Sequence, residues 1–380
     1  MPTGTNRLHS IDLLRGFAVI LMVMGHTIDS ILDHESRTTV WFTVYDFLRG
    51  FTAPTFLFTS GLAFAVATER RWIEYLSWTP ALRKRLGRIL LLFTLGYALH
   101  LPYFSLEKTL FGSTPEEISG FLKTDILQCI AACLLVLHTA IILFRTPRRF
   151  TRATIGLTAI IAVCTPVVWT FDVSPLLTTI FSPFVNTTQL SVFPLFPYAA
   201  FMFAGVVTGH SYFTASSQGR TTEFVVTIAL TSALFAAAGI LLDLLPFRAY
   251  PEHDFWKTSP LFFLVRIAGV LQLTVLFYFL RDVPGRIQSL LTSLGQSSLL
   301  IYTVHIVIVY GSPVAPGLFQ TVGQTQPAPI AAAAGVLLLL AMYLTALGWE
   351  YIRSNHLNVS RLVQAGLTAT VVSMFLLRAF

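Results

Sequence analysis

Long uncharged apolar runs, parted by short polar connections, recur from one end of the chain to the other. Each is about as long as the roughly 20 residues an α-helix needs to cross a hydrocarbon core of about 30 Å. Eleven spans are predicted, over 12–32, 43–68, 86–104, 125–144, 153–171, 192–210, 222–245, 258–280, 291–311, 328–352 and 362–379. The pattern predicts an all-α polytopic membrane protein with a single transmembrane domain over residues 1–380. The ninth run is the least uniform, because "LGQSSLLIYTVHIVIVYG" opens with polar residues, and the last is short and carries Arg378 near its end. The first run exceeds the apolar core of about 7–15 residues typical of a secretory signal, so it is expected to persist as the first span. No internal repeat is visible, which weighs against the paired-repeat plan of many transporters.

Composition agrees. Hydrophobic residues make up 54% and charged residues 11% of the chain, against about 25% charged in a soluble domain. The charges set an expected orientation, because Lys and Arg favour the cytoplasmic side. Sixteen of the 25 basic residues are Arg7 or fall in the even-numbered connections, such as "ERRWIEYLSWTPALRKRLGR" and "RTPRRFTR". The odd-numbered connections hold Arg37, Lys108, Lys123, Arg248 and Lys257 among acidic neighbours. This places the N-terminus in the cytoplasm and, with eleven spans, the C-terminus outside. The net charge of +7 reflects that asymmetry and calls for no nucleic-acid partner. Cys129, Cys133 and Cys164 all lie in apolar runs and read as small core residues. "NTT" at Asn186 is a glycosylation triplet in an external connection, relevant only in a eukaryotic secretory compartment. A bacterial inner membrane is the default location.

Ionisable side chains inside the spans change the picture most, since each costs about 2.5–3.5 kcal/mol at mid-membrane. In "RGFAVILMVMGH", Arg15 and His26 are eleven positions apart. At about 100° per residue they share one helical stripe, about 16 Å apart along the axis. Asp12 and Asp29 extend the stripe at either end, and Asp29 is placed to orient His26 as a general base. With the N-terminus inside, His26 falls in the outer half of the bilayer. Asp46 and Arg49 in the second span, Asp125 and Gln128 in the fourth, Arg266 in the eighth, and Tyr302 and His305 in the ninth are expected at similar depth. His305 is the second candidate for acid–base work, and His100 is a further member of this level. His138 and His210 read as structural or interfacial, and His34, His253 and His356 fall in connections. No metal is expected, because no single span carries ligands at metal spacing. Bis-His haem ligation by His26 and His305 has the same weakness.

Several blocks together resemble the family of heparan-α-glucosaminide N-acetyltransferase and its bacterial relatives. They are "RLHSIDLLRGFAVILMVMGHTID", "RGFTAPTFLFTSG", "DILQ", "FPLFPYAAFMFAGVVTGH" and "LGQSSLLIYTVHI", spread over residues 7 to about 310, with the helices of 328–379 additional. The Arg15-to-His26 spacing is also similar to the R-x10-H pattern of the distantly related acyltransferase-3 proteins. The resemblance implies transfer of acetyl from cytoplasmic acetyl-CoA to a sugar or glycan amine or hydroxyl outside. It implies His26 as base or acetyl-carrying nucleophile, with direct transfer and an acetyl-histidine intermediate both open. In lysosomal members the acetyl-carrying histidine follows the first span. Here His26 lies within it and the next connection holds only His34. On this reading Arg15, Arg83, Lys84, Arg85 and Arg88 face the CoA phosphates, which arginine suits geometrically. Arg49 or Arg266 would stabilise the oxyanion, and Asp46, Asp125, Gln128 and Tyr302 would meet the acceptor. The competing class is a proton-coupled permease using the same buried groups. A homodimer is compatible with either.

Overall fold

The computed structural model describes residues 9–171, 179–187, 190–245, 249–283, 285–312 and 315–379, so Arg7 and Arg248 lie outside it. The helices are α1 (His9–Ile31), α2 (Val40–Arg49), α3 (Thr52–Glu69), α4 (Pro80–Ala98), α5 (Pro115–Leu122), α6 (Ile126–Phe144), α7 (Pro147–Val168) and α8 (Leu195–Ser217). There follow α9 (Thr221–Asp243), α10 (Phe255–Thr258), α11 (Pro260–Leu280), α12 (Arg286–Gln296), α13 (Ser298–Tyr310), α14 (Leu318–Thr321), α15 (Ala328–Asn355) and α16 (Leu357–Leu377). Among the described residues, eight helical segments are long and apolar enough to cross a membrane, or nine if α12 and α13 count as one span. α4 and α8 occupy the third and sixth predicted spans. The all-helical, polytopic membrane architecture expected from the apolar pattern is therefore present.

The chain forms two compact units. The first takes the residues up to Thr52 together with Leu276–Arg378, and the second takes Ala53–Val275.

In the first unit, α1 is an unbroken helix whose inner face meets α12 at backbone distance. A Cβ on Gly16 would run into the Leu291 carbonyl, and one on Gly295 into the Asp12 carbonyl. Small residues that let backbones touch are the usual device where lipid supplies no hydrophobic drive between helices. Next to this crossing, Gln296 Nε2 donates to Asp12 Oδ2 at 3.2 Å. The chain then turns by 79° into α13. The ninth span is thus two short helices rather than one straight one. His305 stands seven residues from the start of α13, about two turns. The polar opening of that segment is spent on the α1 contact and the bend. At its other end α1 is tied to the segment before α15: Gln326 N–H donates to Ile31 O (2.8 Å) and Asp33 N–H to Gln326 O (2.9 Å). Ile31, Leu32 and Ala331 form a buried cluster there, packed by Ile28, Phe42 and Leu318.

In the second unit, α3 and α8 repeat the glycine device. Gly61 meets the backbone of Met202, and Gly205 that of Phe58. Cys129 and Cys133 are fully buried on α6, as core residues should be, whereas Cys164 on α7 is only half-buried. Asn186 is also buried, and its Nδ2 donates to the Val168 and Phe171 carbonyls at 3.1 and 2.9 Å. The Asn186 amide is therefore a structural cap, turned away from any oligosaccharide donor.

Replacing Gly16 or Gly295 with Leu should destabilise the protein by about 1–3 kcal/mol or more, the cost of overpacking a close contact. Gly348, whose Cβ would meet nothing, should accept Leu with little effect. Thermal denaturation in detergent checks both, and equal melting temperatures for all three variants would contradict the crossing.

Candidate active site

His26 and His305 form the centre of the first unit. His305 is fully buried. Its Nδ1 lies 2.8 Å from the Ile301 carbonyl one turn back. A carbonyl only accepts, so Nδ1 carries the hydrogen and Nε2 of the neutral ring is an acceptor. That Nε2 lies 2.8 Å from His26 Nδ1, so His26 donates to His305. The two hydrogen bonds in series fix the His26 tautomer and place its basic lone pair on Nε2. The rings lie nearly parallel, 6° apart with centroids at 5.1 Å. Tyr302 packs edge-on against His305 at 5.8 Å, and Tyr310 against His26 at 5.9 Å. Tyr310 was not singled out by its position in the sequence, where it closes an apolar run.

Asp29 follows His26 by one turn, and its carboxylate is taken up by two arginines. Arg37 Nη1 lies 2.7 Å from Oδ1, and Arg49 Nη1 lies 3.4 Å from Oδ2. Arg37 Nη2 also donates to the Asp29 carbonyl at 2.7 Å, as does Gln324 Nε2 at 3.2 Å. Arg49 holds Asp46 in turn, with Nη2 2.6 Å and Nε 3.0 Å from Oδ1. The orienting contact on His26 is thus with His305, whereas Asp29 anchors a four-member charge network. Arg37 counts in the sequence as an ordinary connection charge, and nothing in its spacing marks it as the partner of Asp29.

Gly25, just before His26, gives the Arg49 side chain its place, since a Cβ there would come within 3.2 Å of its methylenes. The Tyr45 hydroxyl donates to the Gly25 carbonyl at 3.4 Å. Asp33, in the turn after α1, accepts from Ser36 N–H at 2.6 Å, and this bond chiefly holds its carboxyl below the usual carboxylate range. Asp12 and Arg15 share α1 with His26, Asp12 buried and Arg15 half-buried.

The remaining candidates belong to the second unit. His100 Nε2 lies 3.5 Å from Asp125 Oδ2, and Gln128 is fully buried close to them. Arg266 stacks on Phe262 at 4.6 Å. Of the basic run at the start of α4, Arg83, Lys84 and Arg88 are exposed, and Arg85 turns inward. Its guanidinium lies 3.3 Å from the Tyr75 ring centroid and 4.5 Å from that of Phe64. Nη2 donates to Thr68 at 2.8 Å, and Nη1 is buried with no hydrogen-bond partner. His138, expected to be structural, packs edge-on to the same Tyr75, and its buried Nδ1 also has no partner. Among the described residues, no three His, Cys, Asp or Glu side chains are grouped to hold a metal ion.

The tautomer chain predicts a specific nitrogen spectrum. With 15N-labelled histidine, His26 should show a protonated Nδ1 and an unprotonated Nε2 near neutral pH. His305→Phe should abolish that pattern, whereas Asp29→Asn should leave it in place. A His26 signal that shifts only with Asp29→Asn would contradict this geometry.

No curated protein sequence matches the chain. A family model described as an acyltransferase domain, that of the acyltransferase-3 family, matches residues 8–347. The match runs past residue 310 into α15, whose Gly335 packs against Met24 of α1. It supports a membrane acyltransferase of the broader family and leaves the narrower glucosaminide resemblance as a separate matter. On a match covering most of its length, the chain belongs to the acyltransferase-3 family.

Proposed function

We propose that this protein moves an acetyl group from acetyl-CoA to a hydroxyl or amine of a sugar or glycan, with His26 as the general base. The observation that carries the reading is the hydrogen-bond series from His26 Nδ1 through His305 to the Ile301 carbonyl. It presents a basic Nε2 and gives the imidazolium formed on proton uptake a ready acceptor on its other nitrogen. In the reaction the acceptor oxygen or nitrogen attacks the thioester carbonyl as His26 Nε2 takes its proton. The carbon–sulfur bond then breaks, and the proton passes from His26 to the departing CoA thiolate.

The charge network of Asp29, Arg37, Asp46 and Arg49 borders this centre and is suited to hydroxyl or amine groups. Arg49 is held by two carboxylates, so its part in oxyanion stabilisation is shared with positioning. Arg85 supports the donor side: a buried guanidinium with an unused donor, beside an unused His138 nitrogen, suits a phosphate. The orientation favoured by the connection charges puts Arg85 on the cytoplasmic side, where acetyl-CoA is made. The choice of glucosamine as acceptor rests on the sequence resemblance alone, and a bacterial inner membrane remains the expected location.

The test is CoA release by the purified full chain in liposomes, with acetyl-CoA on one side and a panel of sugars on the other. His26→Ala should lower kcat by about 10²–10⁴, the usual worth of a general base. His305→Phe should lower kcat with little change in donor KM. Arg85→Gln should raise donor KM and leave kcat close to wild type. Donor turnover unaffected by His26→Ala would overturn the assignment, and unchanged passage of a sugar driven by a proton gradient would favour a permease.

A further inference from the structure

Trp72 joins two basic connections of the second unit into one surface. Its indole Nε1 donates to the Arg145 carbonyl at 3.1 Å, which ties the segment after α3 to the turn between α6 and α7. The ring packs edge-on against the fully buried Phe150 at 5.5 Å. His210 of α8 closes on both rings, at 6.3 and 5.6 Å, and its Nδ1 lies 3.1 Å from Glu69 Oε2. Four helices therefore meet at one indole.

The joined segments carry Arg71, Arg145, Arg148, Arg149 and Arg152, all exposed. Among the described residues, none of the five reaches a carboxylate at ion-pair distance. Of the two acids in these segments, Glu69 is engaged by His210 and Glu74 is the other. Elsewhere the connection charges have local counter-ions: Arg220 pairs with Glu223 at 2.6 Å, and Arg281 with Asp282 at 3.0 Å. Orientation in the membrane depends on the count of Lys and Arg and hardly on neighbouring acids, so it does not require the five to stay bare.

Three of the five also go against local preference. Arg148 and Arg149 lie in the first turn of α7, where the helix dipole disfavours cations. Arg145 holds φ at 55°, a left-handed cap usually given to glycine. Local rules are broken where function needs the side chain. The same connections and the last turn of α6 expose Ile73, Trp78 and Leu143, at 80%, 72% and 70%. A soluble anion has no use for such neighbours, whereas a lipid does, and tryptophan favours the headgroup level of a bilayer.

We propose that the Trp72 joint is a binding site for an anionic phospholipid, its phosphate held by these arginines and its chains lying against the exposed apolar residues. Guanidinium forks match phosphate oxygens. Each cation near a membrane surface is worth about fivefold in affinity for anionic lipid. The site goes beyond the transfer reaction and does not depend on it.

The experiment titrates the purified full chain in detergent with dioleoylphosphatidylglycerol or dioleoylphosphatidylcholine, and native mass spectrometry counts the bound lipid. Wild type should retain the anionic lipid about tenfold better. Arg148→Gln, Arg149→Gln and Arg152→Gln together should bring the two lipids level. Arg286→Gln, Arg353→Gln and Arg361→Gln together remove as much charge from other connections and should leave the preference unchanged. Trp72→Phe keeps every charge but loses the bond to Arg145, and should reduce the preference about threefold. Arg145→Gly relaxes the backbone, so its weaker retention would not stem from misfolding, and thermal melting checks every variant. Equal retention of both lipids by wild type would overturn the site. So would equal losses in the two triple variants, the mark of diffuse charge alone. Displacement of the lipid by inorganic phosphate would assign the arginines to a soluble anion, and displacement by acetyl-CoA would assign them to the donor. Either result would overturn the lipid site.

Discussion

The contact on which the first unit depends is the backbone crossing of α1 and α12 at Gly16 and Gly295. It removes any choice of register between the two helices, because each glycine accepts a carbonyl region of the other helix where no side chain fits. With α12 pressed there and Gln296 bonded to Asp12, the chain must bend before it continues. The bend delivers α13 so that His305 meets His26 more than one turn short of the end of α1. Packing of small residues thus decides the geometry of two large polar ones. A larger residue at either glycine would move the imidazole pair before it touched any imidazole.

The histidine pair and the charge network answer different physical demands. Inside a membrane an unpaired polar group is costly, so each ring nitrogen that faces protein needs a partner. His305 meets this with a backbone carbonyl and so becomes a fixed acceptor. The Asp29, Arg37, Asp46 and Arg49 group is partly exposed, and its pairs are individually weak. Their worth lies in mutual restraint. Arg37 grips both the carboxylate and the carbonyl of Asp29, so the turn after α1 is held from two directions.

Most of the helical plan is legible in the sequence because a bilayer leaves few alternatives to long apolar helices. The Arg15-to-His26 stripe is also legible, since α1 is straight and a repeat of about 3.6 residues per turn carries over eleven positions. What escapes is tertiary. A bend at "LGQSS" and a straight span with a polar start look alike until the partner of Gly295 is known. Asp29 sits one turn from His26, which favours a local pairing on paper. Arg37 and Arg49 outcompete that contact from outside the helix, and connection charges look the same whether they orient the protein or bind a carboxylate. Gln128 stands out only when Gly96 is seen opposite it, on a helix some thirty residues earlier in the chain.

The first unit joins two segments that lie far apart in the sequence. α1 leaves the ribosome well before its partners α12, α13 and α15, which follow about 250–300 residues later. At roughly 5–20 residues per second, that is on the order of ten to fifty seconds. During this interval a helix bearing an arginine, two histidines and two aspartates is without its final neighbours. The buried polar stripe that suits the finished protein is therefore a burden on its biogenesis. Until those later helices arrive, α1 has neither the α12 backbone against Gly16 nor His305 against His26.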